Sequence, residues 1–191
     1  MWRRARAATV YFMHRLRLAE DMAKTDSFFI RKTVNAGRTN AYAEEPIDLG
    51  AYVDALGKSV LRIHNVQVTY SDFTGRSSSL NPNAGAVAQW QLCTQSQSDI
   101  IRPDDRSLIS SGRIHMYNQS PAPDLAWNVS EGNDINLQEW TNGYLVGVEQ
   151  IYLGVDQSFN MFLTGSVQII LECTVEKLSS SAAMALALSQ Q

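Results

Sequence analysis

Apolar and polar residues alternate with a period of two along much of this chain after Ser27. In the clearest segment, residues 167–175, the apolar positions are Val167, Ile169, Leu171, Cys173 and Val175, and the polar ones include Gln168, Glu172, Thr174 and Glu176. Such alternation turns one face of an extended strand toward an apolar core and the other toward water. Several segments of this kind predict a β protein.

Eight segments carry strand signals, and turn or loop residues separate them. They lie at residues 27–34, within 44–59, and at 59–70, 86–94, 109–117, 135–140, 144–155 and 167–175. The segment 44–59 is predicted to hold a short strand and then one helical turn. A slip of the apolar phase near His64 and Asn65 predicts a β-bulge.

The order of these segments also predicts the fold class. Helices do not alternate with the strands, which argues against a parallel, doubly wound sheet. Long and unequal connections favour an all-β, antiparallel jelly-roll β-sandwich of about eight strands, or another Greek-key sandwich, over a meander barrel. We place this sandwich at residues 27–177, between an N-terminal arm (1–26) and a C-terminal tail (178–191).

The N-terminal arm is basic, whereas the rest of the chain is acidic. Residues 1–38 hold nine Lys or Arg and three Asp or Glu, a net +6, and the whole chain is −3, so the remainder carries −9. Residues 1–21 have a helical composition without Gly or Pro. Residues 1–17 hold five arginines and no acid, and these arginines are candidate nucleic-acid contacts: Arg3, Arg4, Arg6, Arg15 and Arg17.

Other interpretations of the arm stay open. An Arg-rich amphipathic start also fits a membrane-surface helix, a transit peptide or a solvated docking helix. Met22 begins a stretch that resembles a natural protein start. Residues 1–21 would then be an upstream extension.

Two further regions are predicted to contact neighbouring molecules. The tail is predicted to form a short helix capped by Ser179–Ser181, with Met184, Leu186 and Leu188 as its contacts. The loop at 99–106 mixes acids and arginines, which more often pair at a surface or subunit contact than bind Ca²⁺; its charged residues are Asp99, Arg102, Asp104, Asp105 and Arg106.

Trp127 and Trp140 lie in or beside loops, where an interface role is favoured over stacking on sugars.

Residues that could carry catalysis or bind a metal form no recognisable motif. No nucleophile elbow, phosphate-binding loop or zinc spacing is present. His64 and His115 fall within strands, without a carboxylate or cysteine at ligand spacing. Cys93 and Cys173 fit small buried hydrophobic residues better than a disulfide. The sequence therefore predicts no enzyme, cofactor, metal or small-molecule substrate.

The layout resembles a single jelly-roll capsid (coat) protein of a small icosahedral virus. The resemblance covers the region from Ser27 to Lys177 and includes the stretches VLRIHNVQVTYSD and VQIILECTVE, which suit long framework strands. It implies a structural protein of the virion that binds copies of itself and other capsid proteins and encloses the genome. The arm departs from the pattern because it is less densely basic than many RNA-packaging arms.

Two functions of other classes remain as alternatives. A carbohydrate-binding β-sandwich would use Trp127, Trp140 and Tyr144. A metal-dependent jelly-roll enzyme would use His64 and His115 as ligands.

Overall fold

A computed structural model describes residues 26–37, 41–54, 56, 59–76, 80–119, 121, 140–157 and 164–191. Eight strands and one helix lie within these residues. The strands are β1 (Phe28–Gly37), β2 (Ala43–Asp48), β3 (Ser59–Asp72), β4 (Ala84–Cys93), β5 (Leu108–Asn118), β6 (Tyr144–Val146), β7 (Gln150–Gln157) and β8 (Gly165–Lys177), and the helix is α1 (Ser180–Ser189).

The strands form two four-stranded sheets, with all neighbours antiparallel. The first sheet has the order β1-β8-β3-β6 and the second the order β2-β7-β4-β5. Chain neighbours therefore mostly lie in opposite sheets, and each sheet draws strands from both halves of the chain. This is the strand order of an eight-stranded jelly roll, so the predicted fold class is confirmed.

The local strand predictions mostly agree with this structure. In β8 the predicted inward residues are buried or, at Val175, partly buried. The bulge in β3 is confirmed, because its pairing with β8 shifts between Ile63 and Asn65. After β2, Val53 N donates to Leu49 O, which forms the predicted helical turn.

The prediction of one long strand over residues 144–155 is wrong. The structure divides this segment into β6, in the first sheet, and β7, in the second. The chain crosses between sheets at residues 147–149, where Gly147 N donates to the side chain of Gln190 rather than to a strand. Trp140 lies outside the strands, and residues 135–139 lie outside the described part of the chain.

Two apolar clusters fill the space between the sheets. The large cluster holds 17 buried residues, among them Leu61, Leu153 and Leu171. The small cluster holds Leu80, Ala86, Ala88 and Met116, and Tyr70 packs against both clusters. Burial of these side chains is the main stabilising contribution to such a fold.

The helix α1 follows β8 directly, as predicted. Ser179 caps it, with its Oγ accepting from Ala182 N at 3.3 Å. Among the described residues no helix is long and apolar enough to cross a membrane.

Candidate subunit-contact surface

Two of the predicted contact regions lie at the same end of the sandwich. β4 ends at Cys93, which pairs with Tyr152 near the start of β7, and the loop 94–107 projects from this point. The helix α1 reaches the same place, because Gln190 O accepts from Thr94 Oγ1 at 2.9 Å. We call the loop 94–107 the contact loop, and the contact loop together with α1 the contact surface.

The contact loop folds back over the second sheet and is held there by Gln91. Its side chain is 1% exposed, although strand alternation turns it away from the core. Its Nε2 donates to Asp99 O at 2.9 Å, and its Oε1 accepts from Ile101 N at 2.8 Å. The buried amide of Gln91 thus takes the place of water at two backbone groups of the loop. Leaving these two groups without a hydrogen-bond partner would cost free energy.

Glu44 on β2 holds the beginning of the same loop. Its Oε1 accepts from Ser96 Oγ at 2.7 Å, and its Oε2 accepts from Gln97 N at 2.9 Å. Tyr42 also donates to this carboxylate, at 2.9 Å, and accepts from Gln91 Nε2 at 2.9 Å. Burial raises the pKa of Tyr42 well above its usual value, so its hydroxyl remains a donor.

No sequence pattern singles out Gln91, Glu44 or Tyr42 as anchors of the contact loop. Strand alternation places both Gln89 and Gln91 on the outer face of β4, and nothing in the local sequence distinguishes them. Only the contact loop, which crosses above Gln91, makes that residue an anchor. Gly154 contributes to the same packing, because a Cβ there would overlap the Tyr42 hydroxyl.

The tip of the contact loop presents charges of both signs to solvent. Arg102 Nε lies 3.3 Å from Asp104 Oδ1, as the prediction of pairing within the loop implies, but both side chains are largely exposed. Such a pair contributes at most about 1 kcal/mol. Arg106 is exposed as well. These groups therefore have little stabilising role within one chain.

The remaining acids of the loop shape its backbone. Asp105 accepts from Ser107 Oγ at 2.7 Å and from Ser107 N at 2.8 Å, and these bonds lower the pKa of Asp105. Asp99 Oδ1 accepts from Ile100 N at 2.7 Å.

The helix α1 docks on its own chain by small residues and leaves larger ones outside. Ala183 and Ala187 are buried, and Leu186 packs against Gly147. Met184 is 49% exposed and Leu188 is 66% exposed. The last two therefore remain available to a neighbouring molecule.

The tryptophan and arginine predictions have different outcomes. Trp140 is partly buried against the large cluster, with its ring centroid 5.6 Å from that of Tyr144. Trp127 and the five arginines of the arm lie outside the described residues.

The histidines do not come together in the described structure. His64 lies on β3 in the first sheet, where its Nε2 is 2.9 Å from Thr174 Oγ1. His115 lies on β5 in the second sheet. No group of three His, Cys, Asp or Glu within the described ranges could hold a metal.

Both cysteines are buried and free. Cys173 belongs to the large cluster, whereas Cys93 does not. Burial raises the pKa of each thiol to about 12, and Glu44 and Asp105 add to the effect at Cys93. Cys93 is the last residue of β4 and is followed directly by the contact loop.

A cavity of about 430 Å³ lies between β3, β4 and β5, away from the contact surface. Val66, Val68 and Ile114 are among its apolar lining residues, and Tyr70 and Arg113 are its ionisable ones. The described lining includes no carboxylate, histidine or cysteine, so it supplies no general base of these types.

Comparison with protein-family models gives no match, and comparison with curated proteins gives none either. Among solved structures, the human polyomavirus 7 VP1 pentamer has a TM-score of 0.43 and 6% identity, covering 80% of this chain and 95% of that one. The unassembled VP1 pentamer of Washington University polyomavirus has a TM-score of 0.39 and 7% identity, and the match covers 81% of this chain and 99% of that one. The structure of Desmodium yellow mottle tymovirus has a TM-score of 0.25 and 11% identity, and the match covers 81% of this chain and 91% of that one. At these values the fold assignment rests on the strand order of the chain itself.

Proposed function

We propose that this chain is a structural protein that assembles with copies of itself into an icosahedral viral shell, encloses the genome and resides in the virion. The observation that carries the proposal is a jelly roll whose polar anchors hold a loop of mixed charge beside exposed apolar residues of α1. Jelly rolls also occur in lectins and enzymes, so fold alone does not decide function.

The chemistry of the contact surface favours a protein partner. Arg102 and Arg106 stand beside Asp104, so a second copy with the same loop offers charges of the opposite sign to both kinds of group. Met184 and Leu188 supply exposed apolar area on α1, whose end is bonded to the base of the contact loop. An interface with an apolar centre and a charged rim is common between proteins.

Modest contacts are sufficient for such an assembly. Each exposed apolar side chain that becomes buried contributes roughly 25 cal/mol per Å². Closed symmetry repeats the same contact many times, so the particle is stable even when one contact is weak. The basic arm would lie against the genome, since arginines neutralise phosphates without sequence preference.

Assembly of the purified full chain tests the proposal. Sedimentation and negative-stain microscopy over a range of salt and pH should show large, regular particles. Monomers under all these conditions would contradict the function.

Two matched variants locate the contact. Leu188→Asp should abolish particles, because it places a charge in the interface. Phe73→Asp should preserve them: Phe73 is 63% exposed, close to the 66% of Leu188, but lies in the turn after β3 at the other end. If both variants lose assembly, the contact surface is assigned wrongly although self-assembly stands.

The arm is tested separately. Replacing Arg3, Arg4, Arg6, Arg15 and Arg17 by Ala should lower the nuclease-protected nucleic acid per particle and leave particle formation intact. Unchanged nucleic-acid content would exclude these arginines as genome contacts.

A further inference from the structure

The side chain of Gln190 is a buried anchor at the end of α1. It belongs to a residue that is 5% exposed. Its Oε1 accepts from Gly147 N at 2.8 Å, and its Nε2 donates to Leu145 O at 2.7 Å. Gln190 therefore satisfies backbone groups at the place where the chain leaves β6 and crosses to the other sheet.

The backbone of the same residue binds the base of the contact loop. Gln190 O accepts from Thr94 Oγ1 at 2.9 Å and from Gln95 Nε2 at 3.4 Å. Thr94 is 4% exposed, and its N–H donates to Ser107 O at 2.8 Å, which closes the loop. The base of the loop is thus bonded to the end of α1.

This connection matters because α1 has few other anchors. Ala183 and Ala187 are its buried residues, and both side chains are small. A helix of ten residues is marginal in water without tertiary contacts. Removing the Gln190 amide would also leave the buried Gly147 N–H and the partly buried Leu145 carbonyl without this partner, which costs free energy.

We propose that Gln190 is a positioning residue that holds α1 and the contact loop together as one rigid surface, to which a second copy of this chain binds. The binding half of this inference rests on the proposed function. The coupling half is a property of the single chain.

Hydrogen exchange followed by mass spectrometry tests the coupling on the full chain under conditions that keep it monomeric. In Gln190→Ala, amides of both α1 and the contact loop should exchange roughly five- to tenfold faster, as loss of one or two buried hydrogen bonds implies. Amides of β8 should keep their rates. Gln191→Ala, at the exposed neighbouring residue, is the matched control and should change neither region.

A second variant tests the same coupling from the other side. Thr94→Val keeps the side-chain shape but removes the hydroxyl that donates to Gln190 O. It should speed exchange in the last turn of α1, although the substitution lies at the loop. This variant decides the question if Gln190→Ala unfolds the chain.

The outcomes separate this inference from the proposed function. Faster exchange in α1 alone, with the contact loop unchanged, would overturn the coupling. Faster exchange in both, with particle formation reduced at least tenfold in Gln190→Ala, supports the whole inference, whereas full assembly would overturn its binding half. Failure of the wild type to assemble would contradict the proposed function and that half, while the exchange rates would still decide the coupling.

Discussion

The two apolar clusters of the sandwich are packed with side chains of different size. The large cluster is built mostly from Leu, Ile and Val residues such as Leu153, which is 0% exposed. The small cluster contains Ala86 and Ala88, and Ala88 lines the cavity. The cavity is also lined by Val66, Val68 and Val167, which belong to the large cluster or pack against it, so it lies where the two clusters meet.

The contact surface lies beside the large cluster, whose buried side chains are mostly branched. The contact loop is anchored over Gln91, next to Leu92 of the large cluster, and α1 docks beside Val146 of the same cluster. A tightly packed base keeps the anchors in fixed positions. The cavity lies farther along β3, β4 and β5, where none of the proposed contacts depends on it.

Deleting a large side chain from each cluster should give the largest difference. Leu153→Ala should lower the free energy of unfolding by about 3–5 kcal/mol, because a close-packed surrounding cannot collapse into the void. Met116→Ala, at a residue that is 1% exposed in the small cluster, should cost only about 2 kcal/mol. Urea denaturation followed by tryptophan fluorescence measures both, and equal losses would contradict the packing difference.

Enlarging an alanine in each cluster should change stability by a smaller amount, and the two substitutions should differ in sign. Ala36 is 3% exposed in the large cluster, and Ala88 is 2% exposed beside the cavity. Ala36→Val should destabilise by about 1–3 kcal/mol through overpacking. Ala88→Val should be neutral or stabilise by up to about 1 kcal/mol as it fills space. Thermal unfolding of the pair compares them directly; a costly Ala88→Val would show that the cavity is already occupied.

The smallest expected effect is a difference between the two cysteines in their rate of reaction with a thiol reagent at neutral pH. Cys93 directly precedes the contact loop, whereas Cys173 lies between the sheets. Local opening of the loop should therefore expose Cys93 to a thiol reagent sooner than Cys173. Labelling of Cys93→Ala and Cys173→Ala variants, each with one remaining thiol, measures the two rates. Equal rates would mean that the loop opens only with the whole sandwich.

The pH dependence of stability follows from the same two thiols. Their folded pKa of about 12 lies above the ordinary value of 9.0. As the pH rises, the thiols lose their protons at a lower pH in the unfolded chain than in the folded one. The free energy of unfolding therefore decreases. Their contribution should be constant below pH 9.0 and decline between there and about 12. Denaturation of the double Cys→Ala variant is the control and should lose this part of the alkaline decline.

The sequence predicted the strands well where the evidence was local. Alternation in β8, the bulge after Ile63 and the cap at Ser179 all depend on residues close together in the chain, and each is confirmed. The division of residues 144–155 could not be seen in this way. An unbroken apolar run fits one buried strand as well as two strands that cross between sheets.

The candidate site was predicted only in outline. The contact loop and α1 were singled out from charge pattern and helix composition, and the structure brings them together. Gln190, which joins them, carries no local signal because its partners Gly147 and Thr94 are distant in the chain. The roles of Trp127 and of the arm remain predictions.

By itself the sequence determined which stretches are extended and which of their faces is apolar, since side-chain alternation is a property of each strand alone. Only the tertiary structure decided which strands are neighbours, that Gln91 and not Gln89 anchors the contact loop, and that the last residues of the chain bind its base. These features depend on contacts between segments that are distant in the chain. Two residues of the same type, such as Gln89 and Gln91, differ in role only because different groups pack against them.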